Sequence, residues 1–230
     1  MTKLTTIALI VSFACAGTVF AASSNGTRIL DRGKIEAGYE YNNMFRRPLD
    51  RSYGSMSTAD NFFILSVGVF DWLTLDGKIG LGDEMVKGGI HLPKLQFSTG
   101  FAGGYGFKVK FFEHDGTGLR ILAGAQHICV HPQARNVNGN KYETILDDWQ
   151  VSGLVTRKFR YLTPYLGMKL SDCEFIISVN EHDKKRRYSL NHIGFIFGSD
   201  FWICKDKIRL NVEGRLFDEN AFSTAVAYMF

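Results

Sequence analysis

Residues 220–230 read Asn-Ala-Phe-Ser-Thr-Ala-Val-Ala-Tyr-Met-Phe. Phe222, Thr224, Val226, Tyr228 and Phe230 share one parity, and Ser223, Ala225 and Ala227 share the other. In a β-strand, successive side chains fall on opposite faces. One face of this strand is therefore bulky and apolar, and the other is small. A longer run repeats the pattern: Phe97, Thr99, Phe101, Gly103, Tyr105, Phe107, Val109 and Phe111 keep a single parity. In water such strands would present apolar edges that invite pairing with other chains. A closed barrel has no edge, and inside a bilayer it needs an apolar outside.

The start of the chain points the same way. Met1–Ala21 carries a single cation, Lys3, then an apolar stretch from Leu4 to Phe20 and a small-x-small site at Val19-Phe20-Ala21. This is the pattern of a cleaved secretory signal peptide, with the mature chain expected from about Ala22. Cys15 lies inside the apolar stretch, and Ser12-Phe13-Ala14 before it is a poor lipoprotein box. Residues 22–230 then form a single domain with no apolar run long enough for a spanning helix. The chain is 13% aromatic with 24 Gly and only 4 Pro, which suits strands that are apolar on one face only. A net charge of +4 without a basic, aromatic-interleaved module gives no case for nucleic acid.

Taken in order, alternating segments begin at Lys34, Phe63, Leu73, Phe97, Leu119, Trp149, Leu162, Ile193, Ile208 and Asn220. The fold expected is all-β: an antiparallel, up-and-down transmembrane barrel of about ten strands, with eight as the alternative. Long connections at 42–60, 82–95, 130–146 and 171–190 alternate with short turns. A periplasmic N-terminus would make every long loop extracellular and the short turns periplasmic. The connection after the ninth strand, Asp218-Glu219-Asn220, is short and breaks the rule. A soluble β-sandwich also alternates, but the aromatic content and the apolar face of residues 97–111 disfavour it.

With the apolar parity facing lipid, the inward parity holds Glu36, Glu40, Asp76, Asp200 and Glu213 against Lys78, Lys108, Lys110, Arg120, Lys169, Arg209 and Arg215. Buried charges must be paired, so these residues form a candidate lumen charge network. Either they pair across a narrow lumen and plug it, or water fills the lumen and the surplus bases favour anions. Ten strands lie near the size at which side chains fill a barrel. Glu36 and Glu40 are expected opposite Arg209 and Arg215, and removing Arg215 is expected to loosen the plug and raise conductance.

Other candidates are weaker. Cys129 and Cys173 end non-neighbouring strands on the same side, and Cys204 lies at a turn. A bridge between the first two is chemically permitted in an oxidising compartment. His127, Cys129 and His131 share a parity but lack a fourth ligand, so no metal is expected. Asp147-Asp148 and His182-Asp183 fall in loops, where solvated charge is the ordinary reading; no catalytic residues and no cofactor are expected. The run Lys184-Lys185-Arg186-Arg187 offers paired charge to lipopolysaccharide phosphates.

The hairpin Val67–Gly80 (VGVFDWLTLDGKIG), the segment Leu162–Ser171 (LTPYLGMKLS) and the terminal strand resemble small bacterial outer-membrane β-barrels of the OmpA-barrel, OmpW and opacity-protein kind. That resemblance implies an integral outer-membrane protein of a Gram-negative cell. Tyr228 and Phe230 would be its assembly signal, read by periplasmic chaperones and the barrel-assembly machinery. Outer-membrane lipid and lipopolysaccharide would be its surroundings, and a monomer its state. The function expected is non-enzymatic: a structural or surface-interaction role, or a narrow pore for small solutes. The alternative is an outer-membrane hydrolase, protease or lipid-modifying, with an active site at the extracellular rim, as in omptin-like proteases, whose motifs the surrounding residues do not match.

Overall fold

The computed structural model describes residues 26–50, 53–89 and 93–230. The expected signal peptide lies outside the described residues. The strands are β1 (Ile35–Pro48), β2 (Ser55–Phe70), β3 (Leu73–Lys87), β4 (Lys94–His114), β5 (Leu119–Gln133), β6 (Arg135–Val137), β7 (Asn140–Arg157), β8 (Leu162–Val179), β9 (His182–Tyr188), β10 (Ile193–Ile203), β11 (Ile208–Leu216) and β12 (Asn220–Met229). No helix occurs among the described residues. Ten strands pair antiparallel in the order β7-β5-β4-β3-β2-β1-β12-β11-β10-β8, and β7–β8 pairing closes the ring. β6 and β9 are short additions that pair with β7 and β8.

The parity of β12 does what alternation requires. Phe222, Val226 and Tyr228 face out, while Ala221, Ala225 and Ala227 are buried inside. Small residues there leave the lumen to long side chains from other strands. The outer face is a continuous apolar girdle in which Phe63, Ile79, Tyr105 and Leu166 are each more than half exposed. Soluble monomers rarely show contiguous apolar patches beyond about 300–600 Å². A girdle that encircles the molecule is the surface of a membrane barrel.

Two expectations need correcting. Residues 42–60, 82–95, 130–146 and 171–190 are mostly strand, not loop, because β1–β5, β7 and β8 run well past the girdle. Ladder hydrogen bonds need no apolar side chains, so polar stretches continue them. Second, Phe97 does not share the outward face of Phe101: its side chain is buried inside. The register of β4 slips against β3 between Gly82 and Glu84, and against β5 between Ser98 and Phe101. One extra residue in a strand reverses parity beyond it.

The wall is also stepped. β10 and β11 start and stop near the Leu170–Ile193 and Phe195–Leu216 pairs. β8 continues to Val179 and there pairs with β9 instead. The chain after β9 meets the end of β1 through the Leu49–Ser189 bridge, with Leu190 N–H on Pro48 O at 2.9 Å. Beyond the girdle, β9 thus replaces β10, β11 and β12 in the wall, and the barrel narrows.

Candidate functional site

Three stacked layers fill the lumen. At the end where both described termini lie, residues 26–31 fold into the barrel mouth. Thr27 donates through its N–H and its hydroxyl to Asp200 Oδ2 at 2.6 and 2.7 Å. Arg28 pairs with Glu36 at 3.0 Å and lies over the Trp202 ring. The Leu30 side chain is buried, and its N–H donates to Thr74 Oγ1. Gly26 has φ +71°, and a side chain there would collide with the Asp200 carboxylate and Arg209.

Above this plug, at girdle height, Arg209 bridges Glu36 at 2.7 Å and Asp200 at 3.4 Å. Lys78 pairs with Glu40 at 3.0 Å and Lys108 with Asp76 at 3.7 Å. Tyr165 donates to Glu213 at 2.9 Å, and Asn211 to both Tyr165 and Asp200. A second cluster sits at the step. Arg47 meets Asp148 at 2.5 Å, Asp218 at 2.9 Å and Ser171 Oγ at 2.6 Å. Lys169 contacts Asp218 at 2.9 Å and Glu219 at 2.5 Å, and Arg215 contacts Glu219 at 3.0 Å and Asn42. Gly194 faces this cluster because any side chain there would strike Asp218 and Lys169.

The third layer, beyond the girdle, is apolar. Met44, Met56, Val86, Phe97, Val130, Leu146, Phe175 and Ile177 fill the narrowed barrel. Two carboxyls are buried beside them. Glu84 accepts from Thr144 at 3.1 Å, and Asp60 accepts from Asn42 and Thr58. Neither meets a cation among the described residues, and Asp60 Oδ1 and Glu84 Oε1 are buried with no hydrogen bond. Burial pushes Glu84, beyond the girdle, up to about 8. The cavity between the two upper layers, lined by Asn42, Thr58, Asp60, Asp148, Gln150 and Arg215 among others, measures about 20 Å³. A single water needs roughly 10–15 Å³.

Of the expected network, Glu36, Glu40, Asp76, Lys78, Lys108, Lys169, Arg209, Glu213 and Arg215 are buried inside, together with Asp200. Lys110 and Arg120 are not among them: both pair with Glu113 at the half-exposed end near the β4–β5 turn. Arg209 meets Glu36 as the strand positions imply, but Glu40 is taken by Lys78 and Arg215 by Glu219. The expected base surplus is not found among the buried groups. The buried ionisable side chains, among the described residues, are ten acids and seven bases.

The sequence reading missed Arg28, Arg47, Asp60, Glu84, Asp148, Asp218 and Glu219. For Asp60, Glu84 and Asp148 the signal existed: the alternation of β2, β3 and β7, carried past the apolar stretch, places each inward. Arg47 is hidden by a register shift in β1 between Met44 and Arg47, which reverses parity. Asp218 and Glu219 follow Phe217, whose φ of +82° turns the chain inward. Nothing in the sequence marks a left-handed phenylalanine.

The remaining candidates are not brought together. Asp147 faces out and meets His127 Nε2 at 2.7 Å, while Asp148 faces in. His182 is exposed, with Nδ1 on the Asn180 carbonyl; the Asp183 side chain lies outside the described residues. Cys129 sits on the outer face and Cys173 is buried inside, so the wall separates them. No three metal-binding side chains converge among the described residues. Tyr228 and Phe230 pack edge to face at 5.2 Å on the outside, and Phe230 N–H closes onto Ile35 O.

No family model matches the chain, and no curated protein matches it. Among solved structures, an outer-membrane channel from Pseudomonas putida F1 is similar at 9% identity and TM-score 0.46, covering 90% of this chain and 99% of that chain. The outer-membrane protease OmpT of Escherichia coli is similar at 8% identity and TM-score 0.43, covering 90% and 100%. The translocator domain of the autotransporter NalP from Neisseria meningitidis is similar at 10% identity and TM-score 0.44, covering 91% and 90%. These neighbours share a barrel architecture with the chain, and at such scores they say nothing of its activity.

Proposed function

We propose that this protein is a non-enzymatic outer-membrane barrel with a closed lumen, serving as a structural and surface-interaction protein rather than a pore. The observation that carries the reading is the three-layer filling of the lumen, in which the cavity at the boundary of its upper layers measures about 20 Å³. A conducting barrel needs a continuous water path. Here the N-terminal segment, the ion-paired girdle layer and the apolar layer stand in series. In this reading the termini face the periplasm, and the narrowed end projects from the cell. Tyr228 and Phe230 would serve assembly by chaperones and the assembly machinery, and the barrel would work as a monomer in outer-membrane lipid.

The hydrolase reading needs carboxylates and a histidine converging on one side of the rim. Asp147 and Asp148 lie on opposite faces of the wall, and His127 faces outward with Asp147. The test is planar-bilayer recording on purified, folded barrel. The closed reading expects no steady conductance, and a stable open level would overturn it.

A further inference from the structure

The step in the wall leaves an outward recess. Where β10, β11 and β12 stop, the linker from Leu190 to His192 crosses above them, and Phe217 turns out beside Phe195, with ring centroids 5.6 Å apart. The recess is about 540 Å³, lined by Leu190, Asn191, His192, Ile193, Phe195 and Phe217, a volume in the ordinary range of small-molecule sites. Phe217 is 65% exposed although its backbone is left-handed, a conformation that costs a bulky residue free energy. Asn191 Nδ2 donates to Phe217 O at 3.0 Å and holds the turn. The same turn that sends Asp218 and Glu219 into the lumen leaves the Phe217 ring on the outer face, at the rim of the recess.

The height of the recess limits what that is. Ile193 pairs with Leu170 in the last apolar row of the girdle, and His192 pairs with Ser171 one step beyond. The apolar lining therefore continues the lipid face, and the polar rim sits at the headgroup boundary. β9 leads directly into the recess and carries Lys184 and Arg186, both exposed, on its outer face, whereas Lys185 pairs with Ile177 on the inner face. Four to six residues of strand put them about 13–20 Å from Leu190. Arg46, also exposed, pairs in register with Asn220 beside the same turn. Glu174 holds Arg186 at 3.0 Å and Asp172 is exposed nearby; among the described residues, Lys184 and Arg46 add positive charge to the same outer face.

We infer that this recess is a binding site for a phosphorylated outer-leaflet lipid, namely lipopolysaccharide, with an acyl chain against Leu190 and Phe217 and its phosphates near Lys184, Arg186 and Arg46. The inference rests on the membrane-barrel reading and its orientation. It does not need the lumen to be closed.

The test uses full-length barrel folded in lipid-free detergent. Lipopolysaccharide, its dephosphorylated form and phosphatidylglycerol are each titrated against the unfolding midpoint, and stoichiometry is read by native mass spectrometry. Lipopolysaccharide should raise the midpoint and saturate near one per barrel, with phosphatidylglycerol much weaker. Losing one buried apolar side chain should weaken binding by about tenfold or more, so Leu190→Ser and Phe217→Ser should each do so. Lys184→Gln with Arg46→Gln should weaken lipopolysaccharide but not its dephosphorylated form. Leu190 lies outside the strands, so that variant carries the test if Phe217→Ser fails to fold. Equal binding of phosphatidylglycerol, or full affinity in Leu190→Ser, would overturn the inference. Conductance measured in the same preparation tests the closed lumen separately.

Discussion

The Arg47 guanidinium meets the Asp148 carboxylate at 2.5 Å across the lumen, 101 residues away along the chain. Arg47 also holds Asp218 and lies near Glu219, so one cation ties β1, β7 and the turn after β11 together. Breaking a buried pair strands its partners. Arg47→Ala should therefore destabilise the barrel by about 3–5 kcal/mol. Arg47→Lys should cost less, since it keeps the charge but loses the two-sided fork that reaches Asp148 and Asp218 at once. Urea unfolding from detergent, followed by tryptophan fluorescence, measures both, and an unchanged midpoint for Arg47→Ala would contradict the role given to it.

Glu84 gives a pH dependence whose sign is fixed. Its carboxyl rises from an ordinary 4.5 to about 8 because burial disfavours the charged form and Thr144 offsets little of this. The folded state thus holds a proton that the unfolded state releases between these values. Stability is fully present below about 4.5 and declines as pH rises towards 8. Glu84→Gln removes this dependence. It should match wild type near pH 4.5 and exceed it increasingly up to pH 8, by at most a few kcal/mol. Parallel curves for the two proteins would show that Glu84 is ionised in the fold.

The face assignment can be tested from outside. Val67 and Val212 lie on the outer face within the girdle. Arginine at either should hinder insertion, costing about 2–4 kcal/mol at mid-bilayer. Folding yield into vesicles, read by the shift in gel mobility between boiled and unboiled samples, measures the loss. The inner face is not tolerant either. Ser66 donates to Asp76 at 2.6 Å, and Asn211 holds Tyr165 and Asp200, so apolar replacements there should destabilise by about 1–3 kcal/mol each. Full stability of Asn211→Leu would argue against the hydrogen-bonded layer.

Much of this barrel was legible because parity is a local rule. Phe63, Leu75 and Val226 declare the lipid face, and Glu36 and Lys169 declare the inner one, without knowledge of any partner. What escaped were the places where parity is broken. A register shift hides Arg47, another turns Phe97 inward, and a left-handed Phe217 sends Asp218 and Glu219 into the lumen. The step in the wall was illegible for a different reason: β9 supplants three strands through a contact between Leu49 and Ser189, far apart in sequence. Pairing partners, unlike parity, were also underdetermined, which is why Glu40 finds Lys78 rather than an arginine of β11.

Arg215 brings the lumen's layers to a single experiment. Its removal was expected from the sequence to open the barrel. In the structure Arg215 is one of several cations around Glu219, which keeps Lys169 at 2.5 Å. Glu213 keeps its hydrogen bond from Tyr165. Arg215→Ala should therefore destabilise the fold, by up to about 3–5 kcal/mol before water enters the space it leaves. It should not raise conductance, because blocked layers in series stay blocked while any one remains. The apolar layer around Phe97 and Phe175 lies on one side of Arg215, and Leu30 with its segment lies on the other. Measurable current should need the apolar layer to be breached as well, as in Phe97→Ser combined with Phe175→Ser and deletion of residues 26–31. Single-channel recording of the two variants decides it: current through Arg215→Ala alone would mean that the layers do not seal independently.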